Sequence, residues 1–453
     1  LSLVAAEGEL SAINALLEAC QVDPSMVLDV DGHVSALHVI ADQTIVSKVA
    51  EKSCFELLAS LCSRSKAGRA AIGDSEECHA CIQHASECIN QLLKGGDSAD
   101  GESGAPKPLT PEREDVTTEL AAMSFISSLL QNQGCRSGIL QDEDMKETFD
   151  KLALGSEDYS VQHSAILFLA TCARFTSTCT EDNIYSVEDI SSTLLAILNS
   201  SQSRRKRRQV ATSSGLASFG DFRESHQCNE NLILASVCKA IACLLPYTAE
   251  DQVSQILPAL SAIWNDTVDF QMNASKKTAS RTRNSGLLTY NISSIFLLAS
   301  SNPGMKLQMT TKDPSIVSNL LRLILSNPMT QIEKRSVNQP PPFPDEALDQ
   351  NKLYWRGALT QTLQCIATLT MEPLPHNDVD SGHCECWEDL ISKVETELNS
   401  PKNVSKVRRP FGMSQLVPPV ESMSVVLQKL VDDASDPTGS VAAARIMEQL
   451  SLS

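Results

Sequence analysis

The sequence predicts an all-α chain that forms a right-handed α-solenoid with inserted disordered loops. Six stretches are almost continuously apolar, beginning near Cys54, Ala122, Val161, Leu232, Leu287 and Ala358. Each has the length of a buried helix. One pair of starts lies about 40 residues apart and the others about 55 to 70, and three of the long gaps hold polar tracts, at Lys94–Glu119, Ser200–Glu230 and Asn327–Lys352. Without those tracts the period falls near 40 residues, the size of a helical repeat that buries its apolar face only against its neighbours. Aromatic residues make up only 4% of the chain while Leu, Ala, Ser and Ile abound, which suits helix-on-helix packing better than a sheet sandwich.

At 453 residues the chain exceeds one ordinary core, but a stack of repeats has a quasi-one-dimensional core and escapes that limit. The formal net charge of −19 argues against a general phosphate-backbone binder, so no nucleic acid is expected as a partner. No uninterrupted apolar run reaches the length that crosses a bilayer, and no membrane span is expected. Of the 15 cysteines, Cys54, Cys62, Cys172, Cys238, Cys243 and Cys365 sit inside apolar helical runs, where a thiol acts as a small hydrophobe. That placement points to a reducing compartment, the cytoplasm with the nucleus as a second location. The chain opens at Leu1 rather than Met and is expected to be part of something longer.

Residues 1–45 carry a pattern of their own. Ala5-Ala6-Glu7-Gly8 leads through Leu16-Leu17 to Asp29-Val30-Asp31-Gly32 and then Ser35-Ala36-Leu37-His38-Val39-Ile40-Ala41. This resembles the ankyrin repeat, with Ser35-Ala36 in place of the usual Thr-Pro. The resemblance implies a turn in which Gly32 supplies a positive φ and a structural His38 whose ring ties that turn.

From residue 46 a second pattern takes over. Cys54–Cys62 is followed by Arg69-Ala70-Ala71-Ile72, and Ala122–Leu130 by Arg136-Ser137-Gly138-Ile139. Both are a buried helix, a polar turn, then Arg-small-small-Ile. Gly155–Asp158 breaks a helix, and Ser160-Val161-Gln162-His163-Ser164-Ala165 opens a run apolar on every side, as a helix buried all round must be. These residues resemble the armadillo repeat. Gln255-Ile256-Leu257-Pro258 through Asp266 is similar to the first helix of a HEAT unit, with Leu287–Ala299 as its partner. Armadillo-like repeats are expected over 46–199 (loop 94–119), a basic flexible loop over 200–230, and HEAT/armadillo-like repeats over 231–400 (loop 327–352). A linker at 401–420 and capping helices at 421–453 complete the chain.

Candidate sites are few. Cys78, Cys81, His84 and Cys88 fall within an arc of about 120° on a helix and could converge on a metal. Ile82, Ala85, Ile89 and Leu92 share or adjoin that arc, so core cysteines are the simpler account. His376, His383, Cys384 and Cys386 form a second group, without the paired spacing of a zinc site. No metal and no cofactor is therefore assigned. Arg204, Arg205, Lys206, Arg207 and Arg208 resemble a nuclear-import signal. Pro340-Pro341-Pro342-Phe343-Pro344 could form a polyproline II spacer or ligand. Phosphate-binding glycine loops, nucleophile elbows and His-Glu-x-x-His are missing from the sequence, and histidines number only 8, so no catalytic residue is assigned and no enzyme is expected.

The family resemblance implies a non-enzymatic scaffold or adaptor that holds an extended segment or helix of another protein. Gln162, His163, Asn231 and Arg356 are the polar positions expected to meet it. Importin-α resembles this fold, but its Trp-x-x-x-Asn ladder is missing here. A chaperone of the armadillo myosin-chaperone type and a nuclear adaptor are the alternatives.

Overall fold

The computed structural model describes residues 10–41, 47–94, 116–156, 158–176, 186–213, 220–272, 284–312, 314–326, 348–371, 386–400 and 421–452. Among them every regular element is helical, as the sequence predicts. The chain divides into two compact units, Leu1–Thr193 and Leu194–Ser453.

In the first unit one three-helix pattern recurs. It begins with α1 (Leu10–Val22), α2 (Pro24–Asp29) and α3 (Gly32–Ala41). It repeats as α4 (Lys48–Arg64), α5 (Lys66–Gly73) and α6 (Cys78–Lys94), and again as α7 (Val116–Leu129), α8 (Gln133–Leu140) and α9 (Glu143–Gly155). α10 (Tyr159–Thr176) and the start of α11 (Val187–Ser213) follow. The long helices pack in succession, α1 on α4, α4 on α7 and α7 on α10, while α3, α6 and α9 form a parallel succession beside them. α4 and α7 are thus each covered by two long neighbours and a flanking helix, which is why their sequences are apolar almost all round.

Each short helix starts on a polar cap that satisfies its free backbone N–H groups. Asp23 accepts from Ser25 N at 2.9 Å, Ser65 Oγ from Gly68 N at 3.0 Å and Asn132 Oδ1 from Gly134 N at 2.8 Å. Four residues past two of these caps stands an arginine. Arg69 donates to Cys62 O at 2.6 Å and to Gln131 Oε1 at 3.2 Å. Arg136 donates to Leu130 O at 2.8 Å. A cation at carbonyls exposed at or just past a helix C-terminus complements the helix dipole. The sequence signature of Arg-small-small-Ile is therefore a clamp at the ends of the long helices.

The second unit contains α12 (Gly220–Leu244), α13 (Glu250–Met272), α14 (Ser285–Ser300), α15 (Pro303–Leu307), α16 (Pro314–Ser326), α17 (Leu348–Leu369), α18 (Trp387–Leu398), α19 (Met423–Val431) and α20 (Pro437–Leu452). Here α12, α14, α17 and α20 pack in succession, and α13, α16 and α18 do likewise, with α19 also against α16. The cap-and-cation arrangement returns: Asn302 Oδ1 accepts from Gly304 N at 3.0 Å, and Lys306, four residues on, donates to Thr368 O near the end of α17 at 3.1 Å. Polar bonds tie the long helices together, including Asn291 Nδ2 to Ala235 O at 3.1 Å and Ser293 Oγ to Gln361 Oε1 at 2.8 Å. α17 approaches α14 through Gly357, where an added Cβ would lie 2.8 Å from the Tyr290 ring. Pro258 lies inside α13, two turns before Trp264, which is buried against Phe296 at a ring-centroid distance of 5.2 Å.

Residues 10–41 lead directly into the following helices of the first unit, α1 packing on α4 and α3 on α6. Several expectations need correction. The turn at Val30–Asp31 is present, but Asp31 takes the positive φ, at 49°. Gly32 begins α3, where an added Cβ would lie 2.9 Å from Val27 Cγ1, so it serves close packing instead. His38 does not tie that turn: its Nε2 faces Glu77 Oε1 at 3.5 Å. The expected loop over 200–230 is helical across 200–213 and 220–230, with Ser201 bonded to the buried Glu230 and the buried Arg205 bonded to Asn231 and Thr267. Of the other expected loops, 95–115 and 327–347 lie outside the described residues, as does the linker at 401–420 together with the proline run at 340–344. Glu230–Tyr247 is long and apolar enough to cross a membrane, but 67% of it is buried inside the protein, which is what a core helix looks like.

Candidate functional site

The residues expected to meet a partner differ in burial: Gln162 and Asn231 are buried, while His163 and Arg356 are half-buried. Gln162 is buried, and its side-chain amide donates to Ala153 O at 2.8 Å. It ties the end of α9 to the start of α10 and is withdrawn from any ligand. Asn231 is buried as well, accepting from Arg205 at 2.8 Å. Both were expected to be exposed, and both instead satisfy buried groups that would otherwise be costly. His163 on α10 is half-buried, and burial holds its ring below the ordinary histidine value. Arg356 on α17 is half-buried. The Asp433 carboxyl is held below its usual value mainly by the Ser435 hydroxyl and backbone, with a contribution from the Arg356 charge.

The basic run is divided by its environment. Arg205 is 7% exposed and donates to Thr267 Oγ1 at 3.0 Å as well as to Asn231. Beside it Ser201 donates to the buried Glu230 carboxylate at 2.6 Å, and Arg204 Nε lies 3.9 Å from the same carboxylate. A buried charge of this kind must be matched by acceptors of opposite or complementary polarity, and these residues supply them. Arg205 is therefore not presented to a receptor, which corrects the expectation of five free adjacent cations. Of Lys206, Arg207 and Arg208 the helical backbone alone is described.

The cysteine-rich helix resolves into three separate arrangements. Cys78 Sγ lies 3.8 Å from Cys135 Sγ. Cys81 donates to Leu37 O at 3.4 Å, and burial pushes its thiol up to about 12. These two are core thiols and do not converge with the others. His84 and Cys88, one helical turn apart on α6, share a face and meet Glu51 of α4. Glu51 Oε1 is 2.5 Å from His84 Nε2 and 3.4 Å from Cys88 Sγ, and the two α6 atoms are 3.7 Å apart. Phe55, one turn beyond Glu51 on α4, stacks on the His84 ring at 6.3 Å between centroids and 13° between planes.

The electrostatics follow from that contact. The hydrogen bond with His84 holds the Glu51 carboxyl below its usual value, and the same bond raises the imidazole. Burial pushes the Cys88 thiol up to about 12, with the charge of Glu51 and then Glu119 adding to it. The result is a carboxylate, an imidazole and a thiol held together at a partly buried spot, with side chains of Glu51 and His84 only 15% and 18% exposed. Sequence reading confined to one helix missed Glu51. The detectable signal was two pairs at one-turn spacing, Glu51 with Phe55 and His84 with Cys88. In the second group, His376, His383 and Cys384 lie outside the described residues, and Cys386 is the residue preceding α18.

A shallow hollow along α9 is lined by Glu143, Lys146, Glu147, Asp150, Lys151 and Leu154, all from one helix. Within that helix Lys151 pairs with Glu147 at 2.6 Å and Lys146 with Asp150 at 3.4 Å, and Lys146 also lies 3.8 Å from Asp189 of α11. No protein-family model matches this chain, and no curated protein does.

Proposed function

We propose that the chain is a non-enzymatic protein–protein interaction scaffold, built from right-handed α-solenoid repeats of the armadillo/HEAT kind. The observation that carries this is the recurrent unit of long helix, polar cap, short helix and flanking helix, with a cation four residues past the cap at Arg69, Arg136 and Lys306. A unit of that kind is completed only by its neighbours. Stacking long helices produces an extended surface, suited to hold a helix or extended segment by many modest contacts. The core placement of thiols such as Cys54, Cys62, Cys238 and Cys365 suits a reducing compartment, and we place the protein in the cytoplasm.

The test is site-specific photo-crosslinking in the full-length protein, with the probe at His163 or Arg356 on long helices and, as the comparison, at Lys151 on α9. The scaffold reading expects the long-helix positions to capture one and the same protein segment while Lys151 does not. Equal capture at all three positions, or none at His163 and Arg356, overturns it.

A further inference from the structure

We infer that Glu51, His84 and Cys88 form a transition-metal site suited to Zn(II), a property independent of the scaffold reading. The three donors lie within 4.8 Å of one another and come from two helices, Glu51 from α4 and His84 and Cys88 from α6. A tetrahedral zinc with bonds of about 2.0 Å to oxygen, 2.05 Å to nitrogen and 2.3 Å to sulfur sets its ligands about 3.3 Å (O to N) and about 3.5 Å (either to S) apart. Cys88 Sγ already stands 3.4 Å from Glu51 Oε1 and 3.7 Å from His84 Nε2, matching that geometry to about 0.2 Å. Only the Glu51–His84 pair, at 2.5 Å, must open, by about 0.8 Å.

The donor set selects the ion. A thiolate with an imidazole and one carboxylate favours zinc over magnesium or calcium, which take oxygen ligands. Three protein donors leave the fourth position to solvent. The ring of Phe55 lies nearly parallel to the His84 ring, 6.3 Å away between centroids. Binding needs the Cys88 thiolate, a neutral His84 imidazole and the Glu51 carboxylate, so the thiol proton, and any further proton these ligands carry, leaves to solvent.

Cobalt(II) and zinc(II), each added alone to the reduced full chain after chelator treatment, provide the test. One equivalent of cobalt is expected to give a thiolate-to-cobalt charge-transfer band and tetrahedral ligand-field bands, both abolished by one equivalent of zinc. Cys88→Ser should remove the charge-transfer band, and Glu51→Gln should weaken binding about tenfold or more. Cys78→Ser, which alters a thiol outside the site, should change neither. Far-UV circular dichroism identifies a variant that has unfolded. If Cys88→Ser does so, Glu51→Gln carries the decision. Absence of a charge-transfer band in the parent chain, its survival in Cys88→Ser, or its loss in Cys78→Ser overturns the assignment.

Discussion

The guanidinium carbon of Arg136 lies 3.7 Å from the centroid of the Phe175 ring, so a cation on one short helix sits over the last turn of the next long helix. Together with the bond from its Nε to Leu130 O, this makes Arg136 a bridge between the end of α7 and the end of α10. Arg136→Ala is expected to destabilise the first unit by about 1–3 kcal/mol, from the lost cation–π contact and charged hydrogen bond. Arg136→Lys should recover part of that, because an ammonium keeps the charge but not the planar stacking. Urea denaturation of the three proteins measures both effects.

The buried network around Arg205 predicts a loss as well. Arg205→Ala strips the charged donor from Asn231 and Thr267 and leaves those acceptors without it, at a cost of about 1–3 kcal/mol. Chemical denaturation followed by the fluorescence of Trp264 would measure it, and a change below about 1 kcal/mol would contradict the burial of this side chain.

Gly357 is predicted to accept no side chain at all. In Gly357→Ala the new methyl meets the ring edge of Tyr290 at 2.8 Å, an overpacking that costs about 1–3 kcal/mol. Adding Tyr290→Leu should relieve the clash, so a double-mutant cycle is expected to show coupling rather than additive loss.

Acid sensitivity should come in part from two histidines. Burial holds both His33 and His163 below the ordinary value of 6.5. Above that value both states carry neutral rings and nothing is lost. As the pH falls below 6.5 the unfolded chain takes up protons that the folded chain refuses, so stability declines until the folded rings also titrate. His163→Asn should therefore flatten the stability profile between about pH 7.5 and pH 5 relative to the parent. Comparing slopes removes the opposite contribution of Asp150, whose carboxyl is raised by burial.

The long helices were legible because burial on every side writes itself into composition. α4, α7, α10, α12, α14 and α17 coincide with the six apolar runs. The Arg-small-small-Ile signature was legible too, although its meaning as a clamp at helix ends depended on seeing Cys62 O and Leu130 O. The polar residues misled for one common reason. Gln162, Asn231 and Arg205 look solvated in a sequence, and nothing local tells that a backbone carbonyl or amide partner waits across a helix boundary. The Glu51 contact was equally hidden, since a separation of 33 residues joins it to His84. Gly32 was assigned the turn's positive φ on residue type, while the chain gave that role to Asp31, an Asp being tolerated there.

Pro258 brings no amide hydrogen to α13, so the carbonyl of Ser254 loses the donor that would come from four residues on. Mechanically, α13 is two springs coupled end to end at that seam. Under tension or heating its amides would exchange with solvent earliest around the joint, and the indole of Trp264 would register the opening before the rest of the second unit yields.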